Sequence, residues 1–163
     1  MAILVNWLKK KEKVSLKELI DPSLITFIHS DSRESCIKKL VDLAEKKDKI
    51  KDSFSFYEAL MEREKIVSTG IGMSVAIPHA KMEEIKDFFI IIGVQKKGGI
   101  EWDSLDDVPV RIVFLVGGPE NKQMTYLHIL SLLTTVIKNK EFRKKILLSE
   151  KPEEIFDLFS NLA

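Results

Sequence analysis

The chain carries three histidines, His29, His79 and His128. The second stands in "VSTGIGMSVAIPHAK", residues 67–81, directly behind a proline. Ser68, Thr69, Gly70 and Gly72 lead into the short apolar run Val75–Ile77, and the glycines permit the backbone angles of a turn. Pro78 fixes φ and removes a hydrogen-bond donor, so a strand is predicted to end there and to leave His79 at its tip. The following "AKMEEIKD" reads as the start of a helical turn whose free N–H groups point back at the imidazole. A ring nitrogen beside an anion-binding environment is the chemistry this stretch offers. The plain alternative is a surface-loop histidine without a task. His29 follows a predicted strand and belongs to no motif, so it is taken as incidental.

The segments around the Pro–His pair must hold it in place. "SLITFIH" reads as a short strand. Ser32, with Ser35, precedes the stripe Ile37, Leu40, Val41, Ala44, which has the i, i+3, i+4, i+7 spacing of an amphipathic helix. A second helix starts at Asp52 or Ser53, uses Phe56, Leu60 and Met61, and ends near Arg63. Residues 87–95 and 108–118 are near-continuous runs rich in Ile, Val and Phe, the composition of strands buried on both faces. From Asn121 the period becomes helical, with Tyr126, Ile129, Leu130, Leu133 and Ile137 on one stripe and Phe142, Ile146 and Leu147 in the next segment. Pro152 marks the first turn of a last helix. This order predicts an α/β fold, a mixed sheet flanked by helices on both faces, in one domain over residues 1–163.

Composition narrows the function classes. Twenty-six Lys and Arg against 25 Asp and Glu leave a formal charge of +1, which offers no field for nucleic acid or an anionic membrane. One cysteine, Cys36, excludes an internal disulfide and a multi-cysteine zinc site, and it reads as a small core residue. The opening "MAILVNWLKKKEK" has too short an apolar run to span a bilayer, and is expected to be a strand or helix packed on the domain. The expected location is the cytoplasm, with no metal and no cofactor.

"EKIVSTGIGMSVAIPHA" resembles the signature of the type-2 IIA domains of the bacterial phosphotransferase system, the fructose, mannitol and nitrogen-regulatory IIA proteins. Glu64, Ile71–Gly72, Val75–Ala76–Ile77–Pro78–His79 and Ala80 fill its fixed positions. The resemblance extends over about residues 14–160: "ELIDPSLI" resembles the family's first strand, "EREKIVSTG" its Arg–Glu lead, and "PVRIVFLVGGPENKQMTYLHILSLL" its strand, proline turn and histidine-bearing helix. It implies the mannitol-type IIA sandwich and a phosphoryl carrier. His79 then accepts a phosphoryl group on Nε2 from the phosphocarrier protein HPr, or a relative, and passes it to a cysteine of a IIB domain. An imidazole suits this because it is neutral near pH 7. Nδ1–H is left for a backbone carbonyl that fixes the tautomer.

The resemblance also implies helpers. Arg63 matches the arginine of the Arg–Glu pair, and its planar fork suits phosphate oxygens. His128 matches the second family histidine, whose N–H reaches the phosphoryl group. Ser68 or Thr69 offers a hydroxyl. Met73–Ser74 depart from the short polar residue and glycine of many members, and Ala80 replaces a frequent glycine. Trp102, in "GGIEWDSLDDVPV", is expected either on the sheet edge or facing a partner. Three functions compete on these residues: a sugar-specific IIA of fructose or mannitol type, a nitrogen-type IIA whose phosphorylation state controls protein partners, and an α/β small-molecule-binding domain of the same topology. The filled Pro–His signature argues against the third.

Overall fold

The structure is a computed structural model that describes residues 14–162; the expected packing of the opening segment lies outside them. The first described element is a short helix, α1 (Leu16–Leu19). A single 3-10 turn, Pro22–Leu24, is capped by the Asp21 carboxylate accepting from the Ser23 N–H at 2.8 Å, and feeds β1 (Ile25–Ile28). Helix α2 (Arg33–Lys46) starts where Ser32 Oγ accepts from the Ser35 N–H at 3.1 Å. Helix α3 (Ser53–Ile66) starts at Asp52, which accepts from the Ser55 N–H at 3.0 Å. Both caps satisfy donors that a helix start otherwise leaves open. Strands β2 (Gly70–Gly72), β3 (Val75–Ala76), β4 (His79–Met82), β5 (Phe89–Gln95) and β6 (Ile112–Pro119) follow. Helices α4 (Gln123–Ile137), α5 (Lys140–Leu148) and α6 (Pro152–Ser160) complete the described chain.

The six strands make one mixed sheet ordered β1-β5-β6-β3-β2, with β4 also paired to β6. Strand β1 runs parallel to β5, β5 antiparallel to β6, and β3 and β4 parallel to β6. Every residue of β5 and β6 is buried. Their side chains alternate between two cores, as a period of two requires. Ile90, Ile92, Val94, Ile112, Phe114 and Val116 meet Tyr126, Ile129 and Leu133 of α4 together with Ile146, Ile155 and Phe159. Phe89, Ile91, Val113 and Leu115 meet Ile37, Leu40, Phe56 and Leu60 of α2 and α3. The expected mixed sheet with helices on both faces is the observed one. Cys36 is fully buried in the second core, where burial pushes its thiol up to about 12.

Two local expectations are corrected around the Pro–His pair. His79 does not lie beyond the sheet: it pairs with Val116, just as Val75 and Ala76 pair with Ile112 and Val113, so the register on β6 is unchanged across Pro78. The proline lacks a donor, yet its carbonyl still accepts from the Val116 N–H at 3.0 Å. Ala80–Met82 therefore continue as strand, and no helix begins beside the histidine. β-Pairing to the glycines Gly117 and Gly118 of β6 outweighs the helical tendency of "AKMEE".

Candidate functional site

Strand alternation decides what His79 faces. It pairs with Val116, whose side chain belongs to the α4 side of the sheet, so Ile77, His79 and Lys81 all present toward α4 while Ala76 and Ala80 face α3. The Nδ1 of His79 lies 2.6 Å from the carbonyl oxygen of Ile77. A carbonyl only accepts, so Nδ1 carries the proton and Nε2 keeps its lone pair. The ring is partly buried, and that burial lowers its pKa below the usual 6.5; the Ile77 carbonyl opposes the shift, the positive charge of Arg63 adds to it, and Glu64 opposes it. The imidazole is neutral at pH 7, the state in which Nε2 is a nucleophile.

Arg63 comes from the last turn of α3, in the opposite helical layer. Its Nη1 donates to the Val67 carbonyl at 2.8 Å, which holds the guanidinium over the helix end. Its charge acts on both His79 and Tyr126, so the three side chains share one locale. Tyr126 meets the imidazole directly, with ring centroids 5.6 Å apart in an edge-on arrangement. Phe88 stacks on the other part of that phenol at 6.4 Å, and the Lys81 ammonium sits 5.1 Å from its centroid.

His128 is not brought to His79. It lies two residues after Tyr126, about 200° further round the helix, and is exposed while Tyr126 is buried. The side chain of α4 that reaches the imidazole is therefore a tyrosine, which the helical stripe had assigned to the core. His29 is also exposed, one residue beyond the end of β1, and its backbone carbonyl accepts from Lys39.

Ser68 and Thr69 use their hydroxyls internally. Ser68 Oγ donates to the Trp102 carbonyl at 2.6 Å and accepts from the Gly70 N–H at 3.1 Å. Thr69 donates its hydroxyl to the Glu64 carboxylate, which also accepts from the Thr69 N–H at 3.1 Å and from the Trp102 indole N–H at 3.3 Å. Arg33 stands 3.8 Å from the same carboxylate, which is buried. A buried charge is tolerated when it is paired and fully hydrogen-bonded. The result locks the loop after α3 to the Trp102 segment, and Trp102 itself is 1% exposed, packed into the core and not facing a partner. Arg33 lay outside every motif, and only the folded structure brings it to Glu64.

The turn after β2 is where Met73–Ser74 stand in place of the expected short polar residue and glycine. Gly72, Met73 and Ser74 have φ of 97°, 59° and 61°. Positive φ at both central residues of a two-residue hairpin is the conformation that Asn-Gly fits best. Here Asp106 compensates by accepting from the Met73 N–H at 2.9 Å.

Comparison with known proteins bears on the family and the fold. The family described as "Phosphoenolpyruvate-dependent sugar phosphotransferase system, EIIA 2" matches residues 18–162. The chain is 35% identical over 133 residues to the PTS system fructose-specific EIIABC component of Bacillus subtilis, covering 82% of this chain and about a fifth (21%) of that longer protein. It is 31% identical over 133 residues to a nitrogen regulatory protein of Klebsiella oxytoca, covering 82% of each. The crystal structure of nitrogen regulatory protein IIA-Ntr from Neisseria meningitidis matches with a TM-score of 0.81 at 26% identity, over 88% of this chain and 97% of that one. With a family match over residues 18–162 and a fold shared with a IIA-Ntr protein, this chain belongs to the type-2 IIA family of the phosphotransferase system.

Proposed function

We propose that this protein is a phosphoryl carrier in which His79 Nε2 is the acceptor. The observation that carries the reading is the Nδ1–Ile77 carbonyl bond, which leaves Nε2 as the free, unprotonated nitrogen of a ring that burial keeps neutral. Nε2 attacks the phosphorus of a phosphohistidine on HPr or a relative. The donor's N–P bond breaks, its ring nitrogen leaves with the electron pair, and the new Nε2–P bond forms while the proton on Nδ1 stays in place. In the second half, a cysteine thiolate of a IIB domain attacks the same phosphorus and Nε2 leaves with its electron pair. Such transfers need in-line positioning and charge stabilisation more than covalent help from the protein. Arg63 supplies charge once it releases Val67, and the Glu64–Thr69–Ser68–Trp102 contacts hold the loop that positions it.

The sugar endpoint, of fructose or mannitol type, is supported by the similarity to the fructose-specific protein, whose name joins the A, B and C components. A second reading, a nitrogen-type regulator controlled by its phosphorylation state, is supported by the similarity to nitrogen regulatory proteins, which spans 82% of each chain in one relative and 88% of this chain in a solved structure. Either reading places the chain in the cytoplasm, and among the described residues no helix is long and apolar enough to cross a membrane. Loading with HPr, its phosphate-loading enzyme and phosphoenolpyruvate, followed by candidate IIB proteins, tests the reading. Rapid transfer to a fructose- or mannitol-type IIB supports transport; loading without transfer to any sugar IIB supports regulation; no loading contradicts both.

A further inference from the structure

Lys81 is the polar residue of β4 that the carrier chemistry above does not use. It lies two residues after His79 on one strand and so points to the same face. Its ammonium and the His79 ring contact the same phenol, at 5.1 Å and 5.6 Å from the Tyr126 centroid. The ammonium also donates to Gln123 Oε1 in the first turn of α4. It is half-buried between strand and helix, and among the described residues it makes no ion pair with a carboxylate. A lysine held by an aromatic face and a neutral amide is a positive charge without a neutralising anion. Its flexible stem lets the ammonium swing, whereas Arg63 approaches from the other helical layer.

We propose that Lys81 is the second cation of the phosphoryl site, leaving Gln123 and the Tyr126 ring to donate to the oxygens of a phosphoryl group on His79 Nε2. The proposal rests on the reading of His79 as the acceptor. A dianionic group placed on Nε2 adds negative charge beside two tethered cations, and each has a weak, neutral partner to exchange for it: a backbone carbonyl for Arg63 and an amide oxygen for Lys81. Charge-assisted hydrogen bonds to phosphate are roughly twice as strong as those to neutral acceptors. Tyr126 acts as the platform that sets both the imidazole edge and the ammonium.

Phosphoramidate, a small phosphoryl donor, separates this role from partner docking. Nε2 attacks its phosphorus, the P–N bond breaks and ammonia leaves, so no protein surface is involved. Wild type, Lys81→Met, Lys81→Gln and Lys81→Arg are loaded and followed by phosphorus NMR across pH. The loaded phosphoryl group should titrate about one unit higher in the Met and Gln variants than in wild type, with loading slowed about tenfold or more. Lys81→Arg should restore most of both. Loading of wild type with an unmoved titration in the Met and Gln variants overturns the role of Lys81 but leaves His79 as acceptor. A change confined to transfer from phospho-HPr places Lys81 in docking and also overturns it. Absence of phosphate on His79 in wild type overturns the acceptor reading, and this proposal with it.

Discussion

At the residue scale, the site turns on which nitrogen of His79 is free and on what surrounds the ring. Because burial holds its folded-state pKa below 6.5, the unfolded chain binds a proton first as pH falls. The stability that the neutral ring contributes is complete above about 6.5 and is lost as pH drops toward the lowered folded value. The same shift predicts that the pH profile of phosphoryl uptake stays flat through 6.5 and falls only in more acidic solution; NMR titration of the His79 ring against the uptake rate checks it. For Arg63, Arg63→Lys keeps the charge but loses the planar fork. Stopped uptake assays should show transfer slowed, by less than the roughly 100- to 1,000-fold loss of an ideal oxyanion donor, while the melting temperature stays near wild type. The neighbouring α4 positions separate cleanly. Tyr126→Ala removes the edge-on partner of His79 and should slow uptake clearly, whereas His128→Ala, altering an exposed side chain, should load at the wild-type rate. The reverse pattern in single-turnover kinetics would return the role to His128.

At the element scale, the Pro–His strand behaves as one strand with a missing donor. Pro78 interrupts β3 and β4 without shifting their register on β6, and this is why Ile77, His79 and Lys81 stay on one face. The sequence carried the turn, the buried strands and the capped helices openly, since each has a local signal: Ser32 and Asp52 as caps, the unbroken apolar runs of β5 and β6, and Pro152 at a helix start. It did not carry the fate of Ala80–Met82, because a segment this short has no clear period of its own and becomes strand only when a neighbour such as Gly117–Gly118 offers its edge. The Met73–Ser74 turn makes a stability prediction. Each non-glycine residue in the left-handed region costs about 1–2 kcal/mol, and glycine gives part of that back through greater unfolded-state freedom. Ser74→Gly should therefore stabilise the protein by about 0.5–1 kcal/mol, read as a rise of a few degrees in a calorimetric melt, with phosphoryl uptake unchanged.

At the scale of the whole molecule, the sheet brings together groups that the sequence keeps apart. His79 comes from the sheet, Arg63 from the α2–α3 layer and Tyr126 from the α4 layer. His79 and Arg63, the proposed nucleophile and its arginine, could be singled out from the sequence because they stand within one short stretch, residues 63–79. The helix contribution was out of step by two residues: a histidine attracts attention by type, while the position facing the sheet is set by the phase of Tyr126, Ile129 and Leu133, all of them buried. The Glu64–Arg33–Trp102 network was equally hidden, since its members meet only after α2 and α3 pack. All of these contacts matter to function only if the molecule carries phosphate at the end of β3–β4. The most direct measurement is phosphoryl uptake from phosphoenolpyruvate through HPr and its loading enzyme, with the modified residue mapped. The account predicts one acid-labile, base-stable phosphoryl group on His79 and none in His79→Ala; uptake by His79→Ala at the wild-type rate, or phosphate on another residue, would contradict it.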